Sequence, residues 1–212
     1  MQVDLIFGLV VLIFSAILHE VAHGYMADYL GDPTARLAGR LTLNPLPHID
    51  PVGSILLPLI LQLTGSPILI GYAKPVPYNP YNLKGEGDEA LVAFAGPATN
   101  IAIALLFGLC IRFGATAMSG TMLIAFATIV YINILLALFN LIPIPPLDGS
   151  KVLSGILPRS IAHTYDHFRR NFERLGVLSG TFLILILFYA LSPVFSAFLG
   201  KAFALLTGVP LQ

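Results

Sequence analysis

The chain has 212 residues, a formal net charge of zero, 57% hydrophobic residues and only 10% charged residues. Ordinary soluble domains are about 45–50% apolar and about 25% charged, so this composition indicates a membrane protein. The balanced charge gives no indication of nucleic-acid binding. The length leaves room for about five or six spans but for no appended soluble domain of ordinary size. We therefore predict an all-α polytopic helix bundle with about five to six transmembrane segments, forming one integral-membrane domain over residues 1–212.

The first apolar segment, residues 4–30, carries the motif His19-Glu20-Val21-Ala22-His23. We predict a retained helix here, because the first residues lack positive charge and no clear signal-cleavage site follows. Histidines four residues apart lie on one helix face and can bind one metal ion. Glu20 lies beside them and can accept a proton from metal-bound water. Two surface histidines are the ordinary alternative, but unpaired polar groups are costly at membrane depth, so the motif predicts a metal site.

The segment between the first and second core helices is predicted to be irregular. Gly31 and Pro33 are typical of a helix end. The apolar run 52–63 is about a dozen residues long and contains Pro58, which favours a re-entrant or interfacial piece over a full span. The stretch 71–80 is rich in proline and is expected to be extended.

This extended stretch could also bind substrate. Its backbone around Gly71, Tyr72 and Lys74 could pair with a peptide by strand addition, a mode that reads main chain rather than side chains. A plain connecting loop is an equally good interpretation of the same residues.

Two strong spans follow, at residues 88–112 and 121–142. The first contains the small residues around Asn100, which would let another helix approach closely, and the second contains Asn133. We slightly favour ordinary interhelical hydrogen bonding for both asparagines. The single cysteine, Cys110, excludes an intramolecular disulfide and a multi-thiolate metal site, and we expect it to be a small buried side chain.

A third metal ligand is needed, because catalytic zinc usually takes three protein ligands and leaves one position open. The best candidate is Asp148, which follows the third span after a run of prolines that breaks the helix. Non-helical backbone at membrane depth is tolerated where it lines a cavity. From spacing alone, a turn or a helix N-cap at Asp148 is an equally good interpretation.

The last third of the chain begins with a basic loop, residues 150–174, and ends with two apolar segments at about 175–191 and 194–209. We predict that these two segments form a helical hairpin split at Ser192-Pro193. Because basic residues favour the cytoplasmic side, we place the basic loop inside and the metal nearer the cytoplasm. His163 and His167 are expected to form a solvated face rather than a second metal site.

Three motifs together resemble those of the site-2 protease family of intramembrane zinc metalloproteases. They cover most of residues 10–155 and are, in order, His19-Glu20-Val21-Ala22-His23, Ala95-Gly96-Pro97-Ala98-Thr99-Asn100 and Phe139-Asn140-Leu141-Ile142-Pro143-Ile144-Pro145-Pro146-Leu147-Asp148-Gly149. The resemblance implies that one zinc ion is bound by His19, His23 and Asp148, and that Glu20 is the general base. It also implies that Asn140 positions substrate or stabilises the reaction intermediate. The family often has extra leading helices or an inserted peptide-binding domain, and we expect this chain to be a minimal form, with a catalytic core of about residues 4–155.

The leading functional hypothesis is an intramembrane zinc metalloprotease of the cell membrane that cleaves membrane-spanning proteins near the cytoplasmic side. A polytopic metal-ion transporter could use the same histidines and carboxylates, since polar groups inside a helix bundle also mark ion pathways. That alternative leaves Glu20 without a task, and the sequence has no convincing inverted repeat. A catalytically silent scaffold is a third possibility, although no element of the motif is missing. Polar loop residues such as His48 and Asp50 could approach the metal, but a hydrogen-bonded loop is the favoured interpretation.

Overall fold

Helices form almost all of the regular structure in the computed structural model, which describes residues 5–56, 60, 63, 73–174 and 177–210. No strand occurs in these ranges, so the predicted all-α class is confirmed. The α-helices are α1 (Leu5–Tyr29), α2 (Thr34–Leu37), α3 (Asp88–Gly114), α4 (Gly120–Asn140), α5 (Asp148–Ile156), α6 (Arg159–Glu173) and α7 (Val177–Thr207). Short 3-10 turns cover Leu46–His48, Pro80–Asn82 and Ala115–Ala117, and a π-helical turn covers Pro51–Leu56.

Three described helices are long and apolar enough to cross a membrane: Ile6–Tyr29, Asp88–Ala117 and Gly120–Asn140. Large apolar side chains such as Ile6, Phe14 and Phe113 are exposed on their outer surfaces. Such continuous apolar exposure is expected where lipid, rather than water, surrounds the protein. The total of about five to six segments stays a prediction, and the re-entrant segment at 52–63 lies largely outside the described residues.

Helix α3 lies at the centre of the bundle and packs against α1, α4, α5 and α7. Its alanines and glycines allow this close approach on several sides, as small residues do in membrane proteins. On the side of α4 and α7, an apolar cluster is formed by Ala104, Ile111, Val130, Ile134, Leu199 and Phe203. On the side of α1, the contact is polar and carries the candidate site.

The chain between α2 and α3 is tied to the end of α1 by a buried carboxylate. Asp32 is fully buried and accepts hydrogen bonds from the Asn79 backbone N–H at 2.6 Å and from Asn82 Nδ2 at 2.7 Å. It also accepts two from Thr34. Burial raises the pKa of Asp32, but these hydrogen bonds together lower it below its ordinary value. Asp32 is therefore ionised, and its charged carboxylate holds residues 79–82 in place.

The buried guanidinium of Arg40 fixes the residues that precede Asn79. Arg40 Nη2 donates to the backbone carbonyls of Lys74 at 2.9 Å and Pro75 at 3.3 Å. The Lys74 N–H donates to the His48 carbonyl at 2.8 Å. Residues 73–78, which form neither helix nor strand, are thus held from both sides. We call them the cover segment, because they lie over the cavity described below.

Helices α5 and α6 occupy the region expected to be a basic loop. Arg169 of α6 is buried and forms an ion pair with Glu89 of α3, with Nη1 2.8 Å from Oε1. The Tyr165 hydroxyl donates to the Pro143 carbonyl at 3.0 Å. These contacts place α6 at the same end of the bundle as the start of α3 and the end of α4.

Two expectations from the sequence differ from the structure. The C-terminal residues Val177–Thr207 form one helix with Pro193 inside it, and not a hairpin. Proline removes a backbone donor and bends a helix, but a continuous apolar pattern on both sides can carry the helix through. Cys110 is exposed rather than buried. Hydropathy could not distinguish the two faces of α3, because both are apolar at that position.

Candidate metal centre

Three side chains from distant parts of the chain converge where α1, α3 and α5 meet. His19 Nε2 lies 3.1 Å from Asp148 Oδ2, and His23 Nε2 lies 3.3 Å from the same oxygen. Both imidazoles are buried, with 5% and 8% of their surface exposed. The potential ligand atoms all lie within 4.8 Å of one another, so the group could hold one metal ion.

The other ring nitrogen of each histidine has a hydrogen-bond acceptor. His19 Nδ1 is 2.6 Å from Asn100 Oδ1, and His23 Nδ1 is 2.7 Å from the Val92 carbonyl oxygen. Since both partners are oxygens that accept, each Nδ1 carries the proton in the neutral imidazole. The Nε2 lone pairs of His19 and His23 then face each other and the Asp148 carboxylate oxygen across one small space. Three such atoms repel one another unless a cation lies between them.

Two of the three spacings between these atoms fit zinc. Ligands about 2.0–2.1 Å from a tetrahedral ion are separated from one another by about 3.3 Å. The two nitrogen-to-oxygen distances of 3.1 and 3.3 Å agree with this value. Two imidazoles and one carboxylate are also a ligand set found in catalytic zinc sites. The residues therefore fit the metal that the motif predicts.

Asn100 is itself held in a buried polar network. Its Nδ2 donates to Asn133 Oδ1 at 2.8 Å, and Asn133 Nδ2 donates to Ser15 Oγ at 3.0 Å. Asn100 and Asn133 are fully buried and Ser15 is 4% exposed. The network joins α1, α3 and α4 and sets the orientation of the His19 ring. Both asparagines do make interhelical hydrogen bonds, as favoured from the sequence, but Asn100 also contacts a candidate ligand.

Two glycines make room for the centre. A Cβ atom on Gly96 would lie 2.5 Å from His23 Nε2 and 2.7 Å from His19 Cε1, so only glycine leaves space for both rings. A Cβ on Gly149 would lie 2.6 Å from the Ile142 carbonyl oxygen. This tight packing brings the start of α5 against the end of α4 and carries Asp148 toward α1.

The structure decides between the interpretations of Asp148. It is the first residue of α5, and the N-cap position is held by Leu147 without a side-chain cap. The Asp148 carboxylate instead contacts the two imidazoles. Burial raises the pKa of this carboxyl, but the contacts with His19 and His23 lower it by more, so it is ionised at neutral pH.

A cavity of about 200 Å³ opens beside the three side chains. Glu20 lines it, and its Oε2 accepts a hydrogen bond from the Val76 N–H of the cover segment at 3.0 Å. Asn140 also lines the cavity, and its Nδ2 donates to the Leu136 carbonyl at 3.0 Å. Glu20 and Asn140, both predicted from the motifs, therefore face the same space as the candidate ligands.

Lys151 and Tyr78 close another part of this cavity. The Lys151 ammonium lies 5.0 Å from the centre of the Tyr78 ring, and the Tyr78 hydroxyl is 3.4 Å from Glu89 Oε1. Burial raises the pKa of Tyr78. Burial lowers the pKa of Lys151, but Tyr78, Asp148 and Glu89 raise it by more. At neutral pH the lysine is charged and the tyrosine is a neutral phenol.

The predicted substrate-binding residues fare differently. Gly71 and Tyr72 lie outside the described residues. Lys74 is exposed and does not line the cavity, and its N–H is already bonded to the His48 carbonyl. The nearby residues that do line it are Pro75, Val76 and Tyr78.

The other polar candidates lie away from the centre. His48 is buried, with Nε2 2.9 Å from the Thr42 carbonyl oxygen, and Asp50 Oδ1 accepts from the Gly53 N–H at 2.7 Å. Both belong to the hydrogen-bonded loop favoured from the sequence. His163 and His167 are exposed on α6. Within the described part of the chain, only His19, His23 and Asp148 form a group that could hold a metal.

Sequence reasoning missed several contributors. The Val92 carbonyl and the Val76 N–H act through their backbone, so no residue type signals them. Lys151 could have been noticed, because it lies three residues after Asp148 and therefore on the same face of α5. Tyr78 could not, since its contact depends on how the cover segment folds back.

Comparison with known proteins agrees with this chemistry. Residues 108–187 match peptidase family M50, a stretch that includes Asn140 and Asp148. A Bacillus subtilis protein provisionally named zinc metalloprotease YwhC is 38% identical over 162 residues, which cover 72% of this chain and 69% of YwhC. The Mycolicibacterium smegmatis protein provisionally named zinc metalloprotease Rip2 is 33% identical over 142 residues, which cover 66% of this chain and 53% of Rip2.

A third relative matches a shorter part of the chain. The Methanocaldococcus jannaschii protein provisionally named zinc metalloprotease MJ0611 is 34% identical over 100 residues, which cover 47% of this chain and 50% of MJ0611. No solved structure is significantly similar. The chain spans about half the length of Rip2 and MJ0611 but more than two thirds of YwhC. Together with the convergent side chains of His19, His23 and Asp148, these matches establish that the chain belongs to peptidase family M50, the site-2 protease family of zinc metalloproteases.

Proposed function

We propose that this metalloprotease hydrolyses peptide bonds of membrane-anchored proteins within the bilayer, near its cytoplasmic side. The observation that carries the proposal is the position of the convergent ligand group. His19 lies ten residues before the end of α1 at Tyr29, about 15 Å along the helix axis, in a span with an apolar outer surface. A peptide bond that reaches this group must itself enter the membrane.

The proposed roles follow from the contacts. His19, His23 and Asp148 hold one zinc ion, which when bound polarises the scissile carbonyl and lowers the pKa of water toward neutrality. The Glu20 carboxylate accepts the proton of the attacking water and returns it to the leaving amine. The Val76 N–H fixes one oxygen of Glu20, which helps to aim the carboxylate into the cavity.

Asn140 is proposed to hydrogen-bond the substrate main chain. One of its amide protons is bonded to the Leu136 carbonyl, which fixes the side chain and leaves the other polar positions for a ligand. A transmembrane substrate helix hides its carbonyls in hydrogen bonds, so the substrate must unwind locally. The cover segment would then lie beside an extended peptide. Where the Lys74 and Val76 N–H groups are already bonded, strand addition would have to exchange those bonds.

The orientation is supported by the distribution of charge. Nine of the eleven basic residues lie at the end of the bundle that holds the ligand group. They are Arg36, Arg40, Lys74, Lys84, Lys151, Arg159, Arg169, Arg170 and Arg174. Arg112 contacts the Leu205 carbonyl near the other end, and Lys201 is close to that end of α7. Because basic residues are retained on the cytoplasmic side, the ligand group lies nearer the cytoplasm.

The test compares Glu20→Gln with the parent protein in lipid nanodiscs. We expect both proteins to bind one zinc ion per chain, measured by elemental analysis, and only the parent to cleave a membrane-spanning peptide. Cleavage of an equivalent soluble peptide, but not of the membrane-spanning one, would contradict the intramembrane assignment. Zinc flux into vesicles that is unaffected by Glu20→Gln, without cleavage by either protein, would favour transport instead.

A further inference from the structure

Lys151 is a charged cavity residue to which the reaction described above gives no role. It lines the same cavity as Glu20 and Asp148 and is the single cation among the described lining residues. It lies one turn after Asp148 on α5, so both side chains face the cavity. A sphere with the volume of this cavity is roughly 7 Å across, so a group bound beside Asp148 is within reach of the ammonium.

The lysine is held without using up its donors. Its Nζ lies over the Tyr78 ring at 5.0 Å from the centre, and the two side chains also interact by a hydrogen bond. An ammonium has three N–H donors, so contact with Tyr78 alone does not use all of them. Tyr78 is held in turn by Glu89, which is paired with the buried Arg169. A chain of contacts from α6 through α3 to the cover segment therefore positions the ammonium at the cavity wall.

The charges in the cavity indicate what Lys151 binds. With zinc present, its two positive charges are offset by those of Glu20 and Asp148, so among the residues that line the cavity the charge of Lys151 is left over. Outside the lining, Glu89 also attracts Lys151, but it forms an ion pair with Arg169. A neutral peptide does not supply a counter-charge, but its hydrolysis does. When water adds to the carbonyl carbon and the C–N bond breaks, the amine leaves with a proton and the carbonyl carbon becomes a carboxylate.

On the basis of the proposed function, we propose that Lys151 is a substrate-binding residue whose ammonium binds the oxygen that becomes negatively charged at the cleaved carbonyl, and then the product carboxylate. Such a donor stabilises charge that develops during the reaction more than it stabilises the uncharged substrate. Tyr78 is a positioning residue in this arrangement, because it acts only through the lysine.

The test measures binding rather than turnover. Glu20→Gln protein, loaded with zinc, is titrated with two matched peptides, one ending in a carboxylate and one ending in a carboxamide. We expect the carboxylate to bind more tightly, and we expect Lys151→Met in the same background to reduce this preference roughly 10- to 100-fold, as for loss of a hydrogen bond to a charged group. Lys151→Arg should retain much of the preference. Lys84→Met is the matched control, because Lys84 is exposed and outside the cavity.

An unchanged preference in a zinc-loaded Lys151→Met or Lys151→Gln protein would overturn the proposal. Loss of zinc by both variants would also count against it, since Lys151 would then support the metal centre rather than the product. The proposed function fails separately, if zinc-loaded parent protein with an unmodified Glu20 does not cleave a membrane-spanning peptide.

Discussion

Replacing Gly96 by alanine should disable the metal centre without unfolding the protein. The added Cβ would lie 2.5 Å from His23 Nε2, whereas ordinary contacts begin at 3.4 Å, so the ring would have to retreat by 3.4 − 2.5 = 0.9 Å. Metal–ligand distances tolerate only about 0.2 Å. His19 Cε1, 2.7 Å from the same Cβ, would be displaced as well. We therefore expect zinc to bind about 100-fold more weakly, or worse.

The assay is competition for zinc with a chelating dye, together with cleavage of a membrane-spanning peptide at saturating zinc. Gly108→Ala is the matched control on the same helix. Its Cβ would lie 3.0 Å from Leu206 Cβ and so would also be crowded, but it is twelve residues, about 18 Å, from Gly96. The control should lose some thermal stability and keep its zinc affinity.

The reasoning would be refuted if Gly96→Ala bound zinc as tightly as the parent and cleaved peptide at the parental rate. That result would mean that the helices can separate by nearly 1 Å at no cost to the ligand geometry. Equal losses of zinc in Gly96→Ala and Gly108→Ala would be as damaging, because they would indicate a general loosening of α3.

Three further predictions concern the surroundings of the centre. Asn100→Ala removes the acceptor of the His19 Nδ1 proton, so zinc affinity should fall about 10- to 100-fold. The control Thr99→Ala should keep the parental zinc affinity. Parental affinity in Asn100→Ala would contradict the orienting role of Asn100. Asp32→Asn should destabilise residues 79–82, which follow the cover segment, by about 2 kcal/mol, seen as faster amide hydrogen exchange there. The pKa of Asp32 in the folded protein lies below its ordinary value. The difference in stability between Asp32→Asn and the parent should therefore be complete above about pH 4 and disappear as the pH falls through the folded pKa. A difference that grew on acidification would contradict this prediction. Removal of zinc by a chelator should abolish cleavage, and added zinc should restore it; cleavage by protein that elemental analysis finds metal-free would exclude the proposed chemistry.

The membrane helices and the two histidines could be predicted from local signals. Hydropathy over about twenty residues is sufficient to identify spans such as α4, and a spacing of four places His19 and His23 on one face. Asp148 could not be assigned from spacing alone, because an aspartate before a short helix is as typical of an N-cap. The contact between Asp148 and α1 depends on the tight packing of Gly149 against the end of α4.

The parts that could not be predicted depend on tertiary packing. The course of residues 73–82 is set by Arg40 and Asp32, which bind backbone groups more than thirty residues further along the chain. No residue pattern reveals which carbonyl or N–H such side chains will meet. The hairpin predicted around Pro193 illustrates the opposite error, in which a strong local signal for a break was overridden by the apolar sequence on either side.

The contact between His19 and Asp148 also has a consequence for biosynthesis. The two residues are separated by 129 positions in the chain. While the protein is being made, the opening helix therefore enters the bilayer long before the ribosome has released the aspartate. A nascent chain stalled within α4 would contain His19, Glu20 and His23 without Asp148, so its candidate metal centre would be incomplete. The group formed by His19, His23 and Asp148 is thus complete only after the chain has been translated beyond residue 148.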